Sequence, residues 1–200
     1  ETLTSVGLYS FAGCESLENI NLNYVTEIKD YAFTSCTYLT SINIDSIVTI
    51  GEAAFADTAL IGTFNLHNLE SVGKYAFQGS KISSFNATKL KTIGEAAFQN
   101  CEKLQEFIFS DQLESIEILS FNGCSSLSSF YVYVDGVKKN TATITITPIR
   151  FDVDGDPVEI SDDVLESLKK TITVSQDSLR YCYNDELKVT VTPEASSSSN

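Results

Sequence analysis

Along the first two-thirds of the chain, apolar positions recur on a beat of about 22 residues. A small residue followed by Phe stands at Ser10-Phe11, Ala32-Phe33, Ala54-Phe55, Ala76-Phe77, Ala97-Phe98 and Ser120-Phe121. Five residues before each Phe is a β-branched residue: Val6, Ile28, Ile50, Val72, Ile93 and Ile116. Eight before it is another aliphatic: Leu3, Val25, Ile47, Leu69, Leu90 and Leu113. Downstream, Cys occurs three residues after Phe at Cys14, Cys36, Cys101 and Cys124, and Leu six after it at Leu17, Leu39, Leu104 and Leu127. An alternating stretch closes each copy, as in Ile20-Asn-Leu22, Ile42-Asn-Ile44, Phe64-Asn-Leu66 and Phe85-Asn-Ala87. The third and fourth copies depart from the pattern, with Thr58 and Ser80 in the Cys column, and the fourth is one residue short.

Alternation with period two predicts a short strand with one face buried. A unit of 22 residues cannot bury its apolar side alone, so successive copies must stack. Six stacked strands form a parallel sheet of roughly 4.8 Å per rung, with Phe, Leu and Ile columns as internal ladders. Gly7, Gly51, Gly73 and Gly94 follow the β-branched residue, where a turn with a positive backbone angle is expected to need them.

The register of these columns resembles the BspA-type (Treponema pallidum-type) leucine-rich-repeat family, whose repeats carry a similar I-G-x-x-A-F-x-x-C-x-x-L-x-x-I-x-L pattern. Ile28 to Ile44 and Ile93 to Phe109 match it best, and the likeness spans about residues 3–133. It implies a leucine-rich-repeat solenoid with a curved parallel sheet. It also implies a secreted or surface-anchored protein of the kind implicated in adhesion to host proteins and in contacts between cells. The expected division is therefore a solenoid over 1–133, a small β-rich segment over 134–195, Ig-like or capping, and a Ser-rich tail over 196–200. The chain enters partway through a repeat, since Leu3-Thr-Ser-Val6-Gly7 matches Leu69-Glu-Ser-Val72-Gly73. Further rungs or a cap are expected before it.

Composition narrows the function. A net charge of -14 argues against nucleic acid and anionic membrane surfaces, both of which need clustered Lys and Arg. No apolar run reaches membrane-spanning length. The chain opens on Glu1 and has no Met, as a mature or trimmed fragment would. His67 is the only histidine, and no GxSxG, HExxH or Gly-rich phosphate loop accompanies it, so no catalytic residues, cofactor or metal site are expected. The Cys column reads either as small buried thiols or as two bridges between neighbouring rungs, Cys14–Cys36 and Cys101–Cys124; parallel Cβ vectors oppose the bridges. Asn86-Ala-Thr88 fits a glycosylation sequon, but it lies in a predicted strand, where coincidence is the simpler reading.

After Tyr133 the repeat stops. Thr141 to Thr147 alternates as a strand, Ser161 to Lys170 is patterned as a short helix with Ser161 as N-cap, and Leu179–Tyr183 with Leu187–Val191 suggests a hairpin. The run from Asn184 to Pro193 is also similar to strands of bacterial surface Ig-like modules. Asp152-Val-Asp154-Gly-Asp156 begins like a calcium loop, yet Pro157 stands where that loop needs Gly, so a hairpin is favoured.

The middle residue of each alternating stretch is expected to face solvent, giving a candidate binding surface of Asn21, Asn43, Asn65, Asn86, Ile108 and Tyr131, with His67 beside it. The Asn row is either a structural ladder of stacked amides or a polar recognition strip. Ile108 and Tyr131 either extend that strip or pack beneath the C-terminal segment. The expected partner is a host or cell-surface protein, with a glycan as the alternative in a larger surface protein or enzyme.

Overall fold

The computed structural model describes residues 2–117, 119–134, 137–151, 157–158, 170–172 and 186–193. Six turns of a coil run from the N-terminus, each contributing two parallel strands on different sides. On one side lie two-residue strands at the β-branched column: β1 (Ser5–Val6), β3 (Glu27–Ile28), β5 (Thr49–Ile50), β7 (Ser71–Val72), β9 (Thr92–Ile93) and β11 (Ser115–Ile116). Val6, Ile28, Ile50, Val72, Ile93 and Ile116 stand directly over one another. On the other side lie the alternating stretches: β2 (Asn19–Asn21), β4 (Ser41–Asn43), β6 (Ile61–Asn65), β8 (Lys81–Ala87), β10 (Glu106–Ser110) and β12 (Ser129–Val134). The solenoid and its repeat length are those expected from the columns, but one sheet was expected where two sides of the coil carry strands.

The core between these sides is a stack of rings. Phe11, Phe33, Phe55, Phe77, Phe98 and Phe121 lie face over face, with successive centroids 4.9 to 5.5 Å apart. From the third rung on, Phe64, Phe85 and Phe107 meet this column edge-on. Such pairs contribute about 0.5–1.5 kcal/mol each beyond the area they bury. Ala32, Ala54, Ala76 and Ala97, the small residues before Phe, are fully buried, so a larger side chain has no room there.

The Ala-Phe segment forms the third side of the coil without strand geometry. In every rung the residues two before and two after Phe have positive φ. The first column is Tyr9, Tyr31, Ala53, Tyr75, Ala96 and Leu119; the second is Gly13, Ser35, Asp57, Gly79, Asn100 and Gly123. This left-handed conformation costs a non-glycine residue about 1–2 kcal/mol. Its return is hydrogen bonding between rungs. With the turns set so, alternate N–H groups all point to the next rung: Tyr31 to Glu52 O, Phe33 to Ala54 O and Ser35 to Ala56 O, at 2.7 to 2.8 Å.

The glycine column has a different cause from the one expected. Gly7, Gly51, Gly73 and Gly94 do not have positive φ; that angle falls two residues later, on Tyr9, Ala53, Tyr75 and Ala96. What Gly51, Gly73 and Gly94 provide is close approach. A Cβ on Gly73 would lie 2.6 Å from Gly51 C and 2.7 Å from Glu52 N, and one on Gly94 would lie 2.6 Å from Lys74 N. These glycines let one rung rest on the next where the turn brings the backbones together.

Beyond the sixth rung, β13 (Val137–Phe151) pairs antiparallel with β12, and β16 (Glu186–Pro193) pairs antiparallel with both β13 and β11. The two sides of the coil are thereby joined across its C-terminal end, and the strand expected at Thr141 to Thr147 falls within β13. Phe151 lies opposite Pro157 where β13 meets β14 (Pro157–Val158), the antiparallel pairing that a hairpin requires. β15 (Lys170–Ile172) also pairs with β13, so Lys170 is in a strand and not at the end of a helix. The turn at 152–156, the rest of the expected helix, Leu179–Tyr183 and the Ser-rich tail lie outside the described residues.

Candidate functional site

In β2, β4 and β6, alternate side chains turn away from the core, which places Asn21, Asn43 and Asn65 on the surface, together with His67 just past the strand. Asn86 is half-buried. The row does two different things. Asn21 Oδ1 accepts from Asn23 N–H, and Asn43 Oδ1 accepts from Asp45 N–H, both at 3.2 Å. These are local turns that hold the chain as it leaves the strand. Only the later pair forms a ladder, with Asn86 Nδ2 donating to Asn65 Oδ1 at 3.3 Å. Asn86 Oδ1 has no partner.

The apolar end differs from an open platform. Ile108 is 6% exposed, so its side chain is not displayed to a partner in this conformation. Tyr131 is half-buried. Ile108 is therefore withdrawn from the open strip; its strand lies one removed from β13.

Between β4 and β6 the strand ladder breaks. β2 and β4 form a two-stranded sheet of their own, and β6 begins another. The cause is in the third copy. Where the first, second, fifth and sixth copies place Leu six residues after Phe, this one places Leu60 after five, and the chain enters its strand early: Ile61 N–H already donates to Thr40 O at 3.2 Å. Gly62 has φ +86°, and just beyond it the pairing with β8 shifts register: Gly62 faces Ile82 and Thr63 faces Ser84, so Ser83 of β8 is passed over as a bulge. A cavity of about 250 Å³ opens between β4 and β6, lined by Ser41, Ile42 and Asp45 on one side and by Ile61, Thr63 and Asn65 on the other. Ser41, Asp45 and Thr63 are exposed at its rim; the trace of the gap in the sequence is Leu60, five residues after Phe55.

The four cysteines of the repeat column are thiols. Cys36, Cys101 and Cys124 are fully buried and Cys14 is exposed, all four unbridged. Each buried Sγ–H reaches the Phe carbonyl of the preceding rung, Phe11, Phe77 and Phe98 respectively, at 3.0 to 3.1 Å. The contact with Cys101, together with burial, pushes the Cys124 thiol well above its ordinary range. Burial likewise raises Cys36. Neither is a nucleophile at neutral pH. Among the described residues no cluster of three His, Cys, Asp or Glu could hold a metal, and no helix is long and apolar enough to cross a membrane.

Charges on the coil pair from rung to rung. Lys91 Nζ meets Glu70 at 2.7 Å, and the Lys74 ammonium meets Glu95 while lying 5.1 Å from the centre of the Tyr75 ring. The Tyr31 hydroxyl donates to Glu52, which pushes its pKa up to about 12. Lys91 and Glu70 share one column and Lys74 and Glu95 another, so stacking of the repeats brings these opposite charges together.

These features define a leucine-rich-repeat solenoid with a polar strand face and no assembled catalytic group among the described residues. Residues 1–89 and 49–141 match the BspA type leucine rich repeat region in six copies. The chain belongs to this family, whose members are generally surface or protein-interaction modules and typically not enzymes. Comparison with curated proteins finds no match. Among solved structures, a leucine-rich repeat protein from Bacteroides ovatus ATCC 8483 is similar, at 24% identity and a TM-score of 0.44. The match covers 64% of this chain and 40% of that one, so the chain spans about two-fifths of the length of that relative.

Proposed function

We propose that this chain is a non-enzymatic, extracellular or cell-surface binding module that engages a host or cell-surface protein through the strand face of its solenoid. The observation behind this reading is the division of labour among the columns. The Phe, Ala, Cys, Leu and Ile positions are consumed by the core. The side chains left facing solvent from β2, β4 and β6 include Asn21, Asn43 and Asn65, with His67 beside them. A rigid row of short polar side chains suits a specific contact, because little side-chain entropy is lost when it is covered. β13 and β16 act as the cap, taking up the open strand edges of the last rung, which would otherwise invite pairing with other chains.

The test is a binding screen of the purified chain against immobilised matrix and cell-surface proteins, followed by the triple variant Asn43→Ala, Asn65→Ala and His67→Ala. Loss of binding in the triple variant supports the strand face. Binding that survives it moves the interaction to another side of the coil.

A further inference from the structure

We propose that the gap between β4 and β6 is a carbohydrate site that takes one pyranose unit of a glycan. Its size favours a single ring: at about 250 Å³ it falls below the roughly 300–1,000 Å³ that drug-sized ligands occupy. Its chemistry is that of a polyol. A sugar hydroxyl both donates and accepts, and the gap offers both kinds of partner in a small space.

The acceptors and donors come from two sources. Among side chains, the Asp45 carboxylate accepts, while the Ser41 and Thr63 hydroxyls and the Asn65 amide do both. All four residues are exposed. The second source is backbone. In the β2–β4 ladder, Asn19, Ile20 and Asn21 face Ser41, Ile42 and Asn43. By the alternation of a parallel ladder, Ser41 and Asn43 spend their peptide groups on β2, and those of Ile42 turn toward β6. At the equivalent point of other rungs, Leu22 N–H donates to Asn43 O and Leu66 N–H to Asn86 O, each at 2.8 Å. No such bond runs from Ile44 N–H to Asn65 O, where the ladder between β4 and β6 is broken. The Ile42 and Ile44 peptide groups therefore line the gap, ready for a ligand. Ile61, 56% exposed, stands at the edge as an apolar surface for the C–H face of a sugar ring.

A protein side chain is the competing occupant. An Arg or Lys head would use Asp45, but it only donates and would leave the Ile42 and Ile44 N–H groups unmatched. A polyol matches both sets, so the sugar is favoured.

The experiment is a titration of the full chain, 15N-labelled, with methyl glycosides of glucose, galactose, mannose and N-acetylglucosamine, and with N-acetyl-arginine amide as the rival probe. At least one glycoside is expected to shift the Ile42, Ile44 and Thr63 amide signals saturably. Asp45→Asn and Asn65→Ala are expected to weaken that binding about tenfold each, the effect of one strong hydrogen bond. The spectra report the fold of each variant directly. Saturable shifts with the arginine probe alone, or no saturable shift with any glycoside, overturn the proposal. Because the probes are free sugars, failure here leaves the protein-binding reading of the strand face standing, and its test fails or succeeds independently.

Discussion

Replacing Gly73 by Ala adds one methyl group at a position with ordinary backbone angles. In an open site that change would stabilise the fold by about 0.4–1 kcal/mol, because Ala has fewer conformations to lose. Here the new Cβ would stand 2.6 Å from Gly51 C, 2.7 Å from Glu52 N and 2.8 Å from Gly51 O, where ordinary contact begins near 3.4 Å. The neighbouring rung must retreat by about 0.8 Å, the difference between 3.4 and 2.6 Å. Gly73 N–H is bonded to Ile50 O at 2.8 Å. The same displacement takes that bond to about 3.6 Å, beyond useful range. Overpacking of this kind costs about 1–3 kcal/mol, and each lost hydrogen bond about 1 kcal/mol more. A net loss of about 3 kcal/mol is expected, a large share of the roughly 5–15 kcal/mol that holds a domain together. Urea denaturation followed by circular dichroism measures it. Gly13→Ala is the control: at φ +68° with nothing within 4 Å, it should lose about 1 kcal/mol from backbone strain alone. A Gly73→Ala variant that is neutral or more stable than the parent would refute the close-approach reasoning.

Other expectations follow the same geometry. Ser35→Gly should raise the urea midpoint, gaining about 0.5 kcal/mol, because Ser35 is exposed at φ 58° in a column where Gly13, Gly79 and Gly123 already stand; a lower midpoint would contradict it. Native-state alkylation with iodoacetamide and peptide mapping should label Cys14 first and spare Cys36, Cys101 and Cys124 until the chain unfolds, since only Cys14 among these four is exposed. Glu52→Gln should return the Tyr31 hydroxyl from about 12 toward its ordinary value, read from the ring carbon shifts of labelled Tyr. The raised Tyr31 value also means that its contribution is present below about pH 10 and fades as pH climbs toward the folded value. Lys91 holds the Glu70 carboxyl below its ordinary range. Stability from that pair is thus present above about pH 4.3 and lost on further acidification. Lys91→Gln should flatten that acid limb of the stability profile, and an unchanged limb would show that the pair contributes nothing.

Much of the fold was legible in the sequence because a solenoid is built from local repetition. Val6 to Ile116, Phe11 to Phe121 and the Cys column could be aligned by counting, and identical side chains one repeat apart must meet when copies stack. That alone determined the coil, its repeat length, its core and the outward placement of Asn21, Asn43, Asn65 and His67. Counting could not reveal what depends on distances between backbones. It assigned Gly73 to a turn angle, whereas the stack requires it for close approach and puts the positive angle on Tyr75. It treated the Asn row as uniform, yet Asn21 and Asn43 hold their own turns while Asn65 and Asn86 bond to each other, because the ladder is broken between the second and third rungs. It left Ile108 open to two readings, and the tertiary structure buried it. The one-residue advance of Leu60 was visible as a departure from the pattern. Its consequence was not, since a gap between strands exists only once two rungs are laid side by side.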